Sequence, residues 1–383
     1  MKLVFLSNFL NHHQLPFCLQ MRDRLDEDFC FVATQRIPKE RLAQGYADMN
    51  NSYPFVVRTY EGQTQQATAQ RLTDEADVVI LGDAPMTFVQ SRLRDGKLTF
   101  LYSERLYRRG YEVWKLPVRL VRFWKNYGRH RSLYLLCASA YTAGDFAKTR
   151  TFLNKTYKWG YFPETRHYED VDALLERKEP TSILWAARFI DCKHPEYVLE
   201  VARRLKAEGY DFQIQMLGNG VLWDATAQQI RQLGLQAQVK LLGAIPAEHV
   251  RAYMEAATIF LFTSDRNEGW GAVLNESMNS GCAVVADNAI GSVPFLIENG
   301  ENGLVYSTCN VDELYEKVKY LLVHPKACRE MGRKAYETMT EQWNAETAAK
   351  RLLVLSEALL CREPTHILYE NGPCSKAEIL QEG

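Results

Sequence analysis

The chain has 383 residues, more than one ordinary domain holds and well suited to two. A hydrophobic content of 46% excludes a disordered chain, and a net charge of -1 speaks against general nucleic-acid binding. Nine scattered cysteines, an odd number with no C-x-x-C pair, exclude a zinc cluster of the usual spacing and point to a reducing compartment.

The opening Met1-Lys2-Leu3-Val4-Phe5-Leu6 is too short for a signal peptide and reads as the start of a buried strand over Leu3 to Ser7. A polar loop follows, Ser7-Asn8-Phe9-Leu10-Asn11-His12-His13-Gln14, and then helical spacing from Leu15 to Leu25. Further strands are predicted over Phe29 to Thr34, Val78 to Leu81, Leu98 to Tyr102 and Tyr134 to Ala138. This alternation implies a doubly wound parallel sheet. No apolar run approaches the roughly 20 residues of a transmembrane helix. The expected location is cytoplasmic, with a peripheral place on a membrane left open.

A charged passage from Tyr168 to Lys178, ending at Glu179-Pro180, reads as a linker, and alternation then restarts. Strands are predicted over Ser182 to Ala187, Phe212 to Leu217, Val239 to Leu242 and Ile259 to Thr263. Helices are predicted over Pro195 to Glu208, Leu222 to Leu233 and Ala247 to Ala256, with later ones at Val311 to Val323, Ala327 to Thr338 and Ala345 to Leu360. The tail after Cys361 has weak periodicity and reads as loosely held. The domains are therefore placed at residues 1–168 and 180–345, with residues 345–383 a candidate to pack back on the first. Ligands of open α/β sheets bind at the C-terminal ends of the strands, so two such domains imply a cleft between those ends.

The residues at those strand ends are informative. Arg188 follows one strand and Lys193 lies before the next helix, two cations suited to a diphosphate. A solvated basic loop is the alternative. Gly218-Asn219-Gly220 ends the next strand, a weak G-x-G signal alone. Then comes Glu268-Gly269-Trp270-Gly271-Ala272, with Glu276 two turns further on. Two carboxylates around a helix N-terminus suit a ligand bearing both phosphate and sugar hydroxyls.

The order R-x4-K, G-x-G, E-G-x-G-x4-E closely resembles the retaining nucleotide-sugar glycosyltransferases of family 4, over roughly residues 180 to 310. The resemblance implies an α/β GT-B fold, two Rossmann-like domains facing a cleft. It implies that Arg188 and Lys193 neutralise the donor diphosphate, Glu268 binds donor-sugar hydroxyls and Glu276 holds the ribose diol. Gly218, Asn219, Gly269, Trp270, Gly271 and Ala272 would complete the donor site through backbone approach. The implied reaction is sugar transfer with retention from a UDP- or GDP-sugar to a glycan or lipid-linked acceptor, in bacterial surface polysaccharide synthesis. No cofactor and no metal are expected, since the cations and a helix N-terminus would stabilise the leaving group and no D-x-D stands at the expected place.

The first domain departs from the family pattern. The loop after its first strand lacks glycines, and Asn11, His12 and His13 are assigned to the acceptor side instead, with a polar loop capped by one Asn as the alternative. Ser103 and Glu104 stand where a histidine is expected. Glu104 and His12 are the candidate acceptor-side catalytic groups, and a salt bridge from Glu104 to Arg105 or Arg108 is the plainer alternative. Asp83 is a weaker candidate at another strand end. Phe295 occupies a position where the family often has Glu.

From Arg105 to Arg131 the chain has nine Lys or Arg and one acidic residue, Glu112, with six interleaved Tyr, Trp and Phe. Leu116, Leu120, Val121 and Trp124 are expected on one helical face, with Arg119, Arg122 and Lys125 away from it. An interfacial helix on anionic lipid, at the inner membrane face, and a surface helix packed on its own sheet both fit. Two rivals to glycosyl transfer remain: a nucleotide-sugar epimerase on the same fold, and a non-catalytic nucleotide-sugar-binding subunit. No nucleic-acid partner is expected.

Overall fold

The structure, a computed structural model, describes residues 1–39, 42, 47–108, 110 and 113–380. Arg109, Tyr111 and Glu112 of the basic segment and residues 381–383 of the tail lie outside the described residues. The chain forms two compact units, Met1–Glu164 with Trp343–Gly383, and Thr165–Gln342.

The first unit is built on seven strands: β1 (Leu3–Ser7), β2 (Phe29–Ala33), β3 (Val56–Arg58), β4 (Val78–Leu81), β5 (Thr99–Ser103), β6 (Leu133–Cys137) and β7 (Thr156–Lys158). They lie in the order β3-β2-β1-β4-β5-β6-β7, every pairing parallel. The winding direction reverses between β1 and β4, so the loops after these two strands diverge at the switch point, where α/β sheets bind ligands. The first two labelled helices are α1 (Leu15–Leu25) and α2 (Gln63–Glu75). In α1, Pro16 sits in the first turn, Arg22 and Arg24 in the last, and Phe17, Cys18 and Met21 are buried. Capping chemistry and one apolar face thus agree on a helix. Phe17 meets Trp159 edge-on at 5.2 Å, and Phe5 meets Phe31 at 5.2 Å, so aromatic rings lock α1 and the strands together. Helix α3 (Leu116–Phe123) lies in the basic segment, and α4 (Thr142–Ala147) follows β6.

The second unit holds β8 (Glu179–Ala186), β9 (Gln213–Leu217), β10 (Val239–Gly243), β11 (Ala257–Phe262), β12 (Ala283–Asp287) and β13 (Leu304–Tyr306). Their order is β10-β9-β8-β11-β12-β13, again all parallel. Here the switch lies between β8 and β11. Its helices are α5 (Val171–Glu176), α6 (Pro195–Ala207), α7 (Trp223–Gln232), α8 (Ala247–Ala256), α9 (Val273–Asn279), α10 (Val311–Val323) and α11 (Pro325–Glu337). Val198, Leu199, Val201, Ala202 and Leu205 of α6 are buried against Ile183, Trp185, Ile214 and Met216, the near-continuous apolar strands that a sheet covered on both faces needs.

Two expectations are corrected. The passage read as a linker, Tyr168 to Lys178, is not one. It holds α5, capped by the Asp170 side chain, which accepts from the Ala173 N–H at 3.0 Å. Leu174 and Leu175 are buried, and the covered Lys178 ammonium donates to the carbonyls of Met254 and Ala257 at 2.8 and 2.7 Å. Glu169, Asp170, Asp172, Glu176 and Arg177 form the solvent side of this turn, while Lys178 is drawn inside. The tail is likewise not loosely held. After α12 (Ala345–Cys361), whose Glu346 meets Arg24 of α1 at 3.5 Å, it runs antiparallel along the edge strand β7. The Lys158 N–H donates to the Ser375 carbonyl at 2.7 Å, Cys374 N–H to Lys158 at 2.8 Å, and Ala377 N–H to Thr156 at 3.0 Å. Backbone pairing of this kind leaves no side-chain periodicity to read.

Candidate functional site

In the second unit the rim begins where β8 ends. The loop Ala187 to His194 is held from two sides. Beneath it lies the G-x-G turn: the Ala187 N–H donates to Leu217 and the Phe189 N–H to Asn219, both at 3.0 Å. Gly218 has φ +128°, and a Cβ there would stand 1.9 Å from the Ala187 carbonyl oxygen; one on Gly220 would stand 2.4 Å from that of Phe189. Close loop packing therefore demands both glycines whatever the ligand. Asn219 is exposed, its side-chain oxygen accepting from the Gly220 N–H at 2.7 Å.

On the other side, the loop after β11 grips the same segment. The Thr263 hydroxyl donates to the Lys193 carbonyl at 2.6 Å and accepts from the Trp185 indole at 2.9 Å. The Asp265 N–H donates to the Cys192 carbonyl at 3.0 Å. These bonds bring the Lys193 ammonium onto the Glu268 carboxylate as an ion pair, with side-chain exposures of 14% and 17%. Burial pushes the Lys193 ammonium down to about 8; Cys192 and Asp265 pull it up and Arg188 pushes it further down. The carboxylate in contact favours the charged form. Arg188 itself is exposed on the same loop.

His194, in the left-handed region at φ 49°, was passed over in the sequence reading. It stacks on Tyr197 at 4.5 Å, contacts Glu196 at 2.7 Å through Nδ1 and Asp265 at 3.5 Å through Nε2. The Glu196 hydrogen bond leads the causes that raise its pKa. Only its place before Pro195, at the helix start, signals it in sequence.

Past Glu268 the chain turns sharply. Gly271 has φ +80°, and a Cβ there would lie 2.3 Å from a Phe262 ring carbon. Gly269 and Ala272 are buried. The Trp270 side chain is a structural peg, which leaves only the backbone approach expected of this residue. It is 1% exposed, donates to Asn275 at 2.9 Å, and its ring lies 6.4 Å from that of Phe295. Its carbonyl accepts from the Ser292 hydroxyl. Any contact of this residue with a donor falls to its backbone.

Glu276, on α9, is half-buried. Burial raises its pKa while Arg251 and Arg166 pull it down. One turn on, Asn279 accepts from the Arg251 guanidinium at 2.6 Å and the Arg166 N–H at 2.8 Å, and returns a bond to the Arg166 carbonyl at 3.0 Å. Arg166 also pairs with Glu255 at 2.7 Å. Neither arginine carried a sequence signal, since each comes from a different element.

In the first unit, the loops after β1, β4 and β5 surround a cavity of about 510 Å³. Asn11, Asp83, Ser103 and Glu104 line it, as do Asn8 and Gln14. Asn8 donates to Asp83 at 2.9 Å, and Asn11 accepts from the N–H groups of His13 and Gln14 at 3.0 and 3.1 Å. The Ser103 hydroxyl turns back to the Glu104 carbonyl at 2.8 Å. The Glu104 carboxylate pairs with Arg108 and accepts from the Tyr161 hydroxyl. Tyr161, which sequence reading missed, also stacks on His13 at 5.5 Å. His12 contacts His13 ring to ring at 3.7 Å, and neither histidine is among the lining residues.

Residues 168–338 match the family model described as glycosyl transferases group 1, a span lying wholly within the second unit. A trehalose synthase of Pyrococcus horikoshii is 30% identical over 198 residues, covering 49% of this chain and 47% of that protein. An amylovoran biosynthesis glycosyltransferase, AmsK, of Erwinia amylovora is 32% identical over 151 residues, covering 38% and 36%. The chain thus spans under half the length of these relatives. Anabaena Alr3699/HepE, solved in complex with UDP, superposes with a TM-score of 0.67 at 16% identity, covering 94% of this chain and 100% of that one. That likeness shows the fold, two parallel-sheet Rossmann-like domains of the GT-B type.

Proposed function

We propose that this protein is a retaining glycosyltransferase. It moves a sugar from a nucleoside-diphosphate donor, a UDP- or GDP-sugar, to a glycan or lipid-linked acceptor in polysaccharide synthesis. The observation that carries the reading is the Lys193–Glu268 pair at the β8/β11 switch point, with Arg188 beside it. An ammonium and a carboxylate that neutralise each other can separate towards a bipolar ligand. Lys193 and Arg188 then face the diphosphate, and Glu268 accepts from hydroxyls of the sugar. Glu276 holds the ribose diol. The group 1 match over this unit and the polysaccharide role of one relative support the reading.

In the reaction, the bond from the anomeric carbon to the diphosphate oxygen breaks, the acceptor oxygen bonds on the same face, and the acceptor's hydroxyl proton passes to the departing diphosphate oxygen. Negative charge develops on the leaving group, where Lys193 and Arg188 stabilise it. No metal is required in this scheme. Glu104, fixed by Arg108 and Tyr161, accepts a hydrogen bond from the acceptor. We place the enzyme in the cytoplasm, at the inner face of the membrane.

Titration with UDP, GDP and ADP tests the donor assignment: one diphosphate should bind clearly best, and EDTA should leave both binding and transfer intact. Binding with neither transfer nor hydrolysis would replace this reading by a non-catalytic binding subunit, and conversion of the donor sugar without acceptor by an epimerase.

A further inference from the structure

The basic segment does not present the face its spacing suggests. Leu116 and Leu120 are half-buried, and Phe123 is buried against Phe146 at 5.8 Å. Tyr127 packs on Phe146 and Phe152 at 5.8 and 5.7 Å. With that side turned inward, a different apolar set points out: Trp114, Val118, Val121 and Trp124 are 74%, 73%, 68% and 62% exposed. At helical spacing these four fall within about 120° of arc, a second apolar stripe beside the packed one. Arg122, Lys125, Arg129 and Arg131 are exposed next to it, and residues 113–131 contain no Asp or Glu.

We infer that this stripe is a docking face for an anionic lipid bilayer. Two tryptophans and two valines would sit at the level of the headgroups, and the flanking cations would meet lipid phosphates. The alternative occupants fit less well. A second copy of the chain would bring the same cations face to face across a two-fold contact, an unfavourable arrangement. The segment is also firmly mounted, since the buried Asp145 carboxylate accepts from the N–H groups of Leu106 and Tyr107 at 2.8 and 3.1 Å. Leu106, Arg108 and Tyr127 of the same stretch line the 510 Å³ cavity, so docking would present that cavity to molecules carried in the bilayer. The inference extends the location given above but uses none of the donor-site assignments, and UDP titration separates failure of one from failure of the other.

The test uses the full chain and vesicles of phosphatidylglycerol with phosphatidylcholine. Of the seven tryptophans, Trp114 and Trp124 are the exposed ones, so vesicle binding should shift tryptophan emission to the blue. Co-sedimentation should be strong with anionic vesicles and weak with phosphatidylcholine alone. Replacing Trp114, Val118, Val121 and Trp124 together by Ser should abolish it. Arg122→Gln, Lys125→Gln and Arg129→Gln should each weaken it roughly fivefold. Far-UV circular dichroism and nucleotide titration confirm that the variants remain folded. Absence of wild-type binding, equal binding to neutral vesicles, undiminished binding by the Ser variant, or an emission shift from self-association without lipid would each overturn the inference.

Discussion

Lys193 and Glu268 share one property: each is largely removed from water, and each is compensated by the other. Burial at such a position disfavours charge, which sets the direction of a pH effect. With its pKa pushed down to about 8, the Lys193 ammonium is charged below that value and neutral above it. A bound diphosphate needs the charged form, so binding takes up a proton above pH 8. Affinity for the preferred nucleoside diphosphate should therefore fall as pH rises from 7.5 to 9.5, and the fall should flatten in Lys193→Ala. Calorimetry in buffers of different ionisation heat would show both effects. Glu276 titrates the other way. Its raised pKa means that this carboxylate loses its charge on acidification earlier than an ordinary glutamate. Glu276→Ala should weaken nucleotide binding roughly ten- to hundredfold, the loss of hydrogen bonds to a charged group. Glu268→Gln should lower transfer while leaving the fold intact. Unchanged transfer in both Glu variants would remove the site assignment.

Among the elements, the turn after β11 combines two kinds of demand. Gly271 and Trp270 shape it, while Glu268 within it pairs with Lys193 and Glu276 follows on α9. Trp270→Ala should destabilise the protein by about 3–5 kcal/mol in urea unfolding, because it empties a fully covered site and removes the indole N–H that Asn275 accepts. The elements of this rim were legible in the sequence because buried parallel strands are short apolar runs closed by glycines or charges. The ends of β8, β9 and β11 all announced themselves in this way. What was not legible is instructive. Edge strands β3 and β7 have three residues each, too few to show a pattern. The inward packing of the Trp270 indole was not legible either, because a motif marks which residues recur together, not which way a side chain points. Arg166, Arg251 and Tyr161 reach their sites from distant segments, a juxtaposition set by topology alone. In the basic segment the periodicity was visible, but two apolar stripes lie side by side, and only packing decides which one is buried.

At the level of the whole molecule, the second unit is one continuous stretch, Thr165–Gln342, set inside a first unit made of two separate stretches. A fragment of residues 165–342 should fold and bind the preferred nucleotide, measured by circular dichroism and calorimetry, whereas residues 1–164 alone should not give a stable counterpart. That first stretch lacks α12, which packs on α1 through the Arg24–Glu346 contact, and the tail that pairs with β7. The same arrangement bears on how the protein comes into being. As the chain leaves the ribosome, β7 appears long before its partner at Cys374 to Ala377. At ordinary translation speeds that interval is roughly 10–40 s. Through it the nascent sheet carries an open edge that could recruit another polypeptide. The shortness of β7, three residues ending in a lysine, is the kind of feature that keeps such an edge unattractive until the last segment arrives to close it.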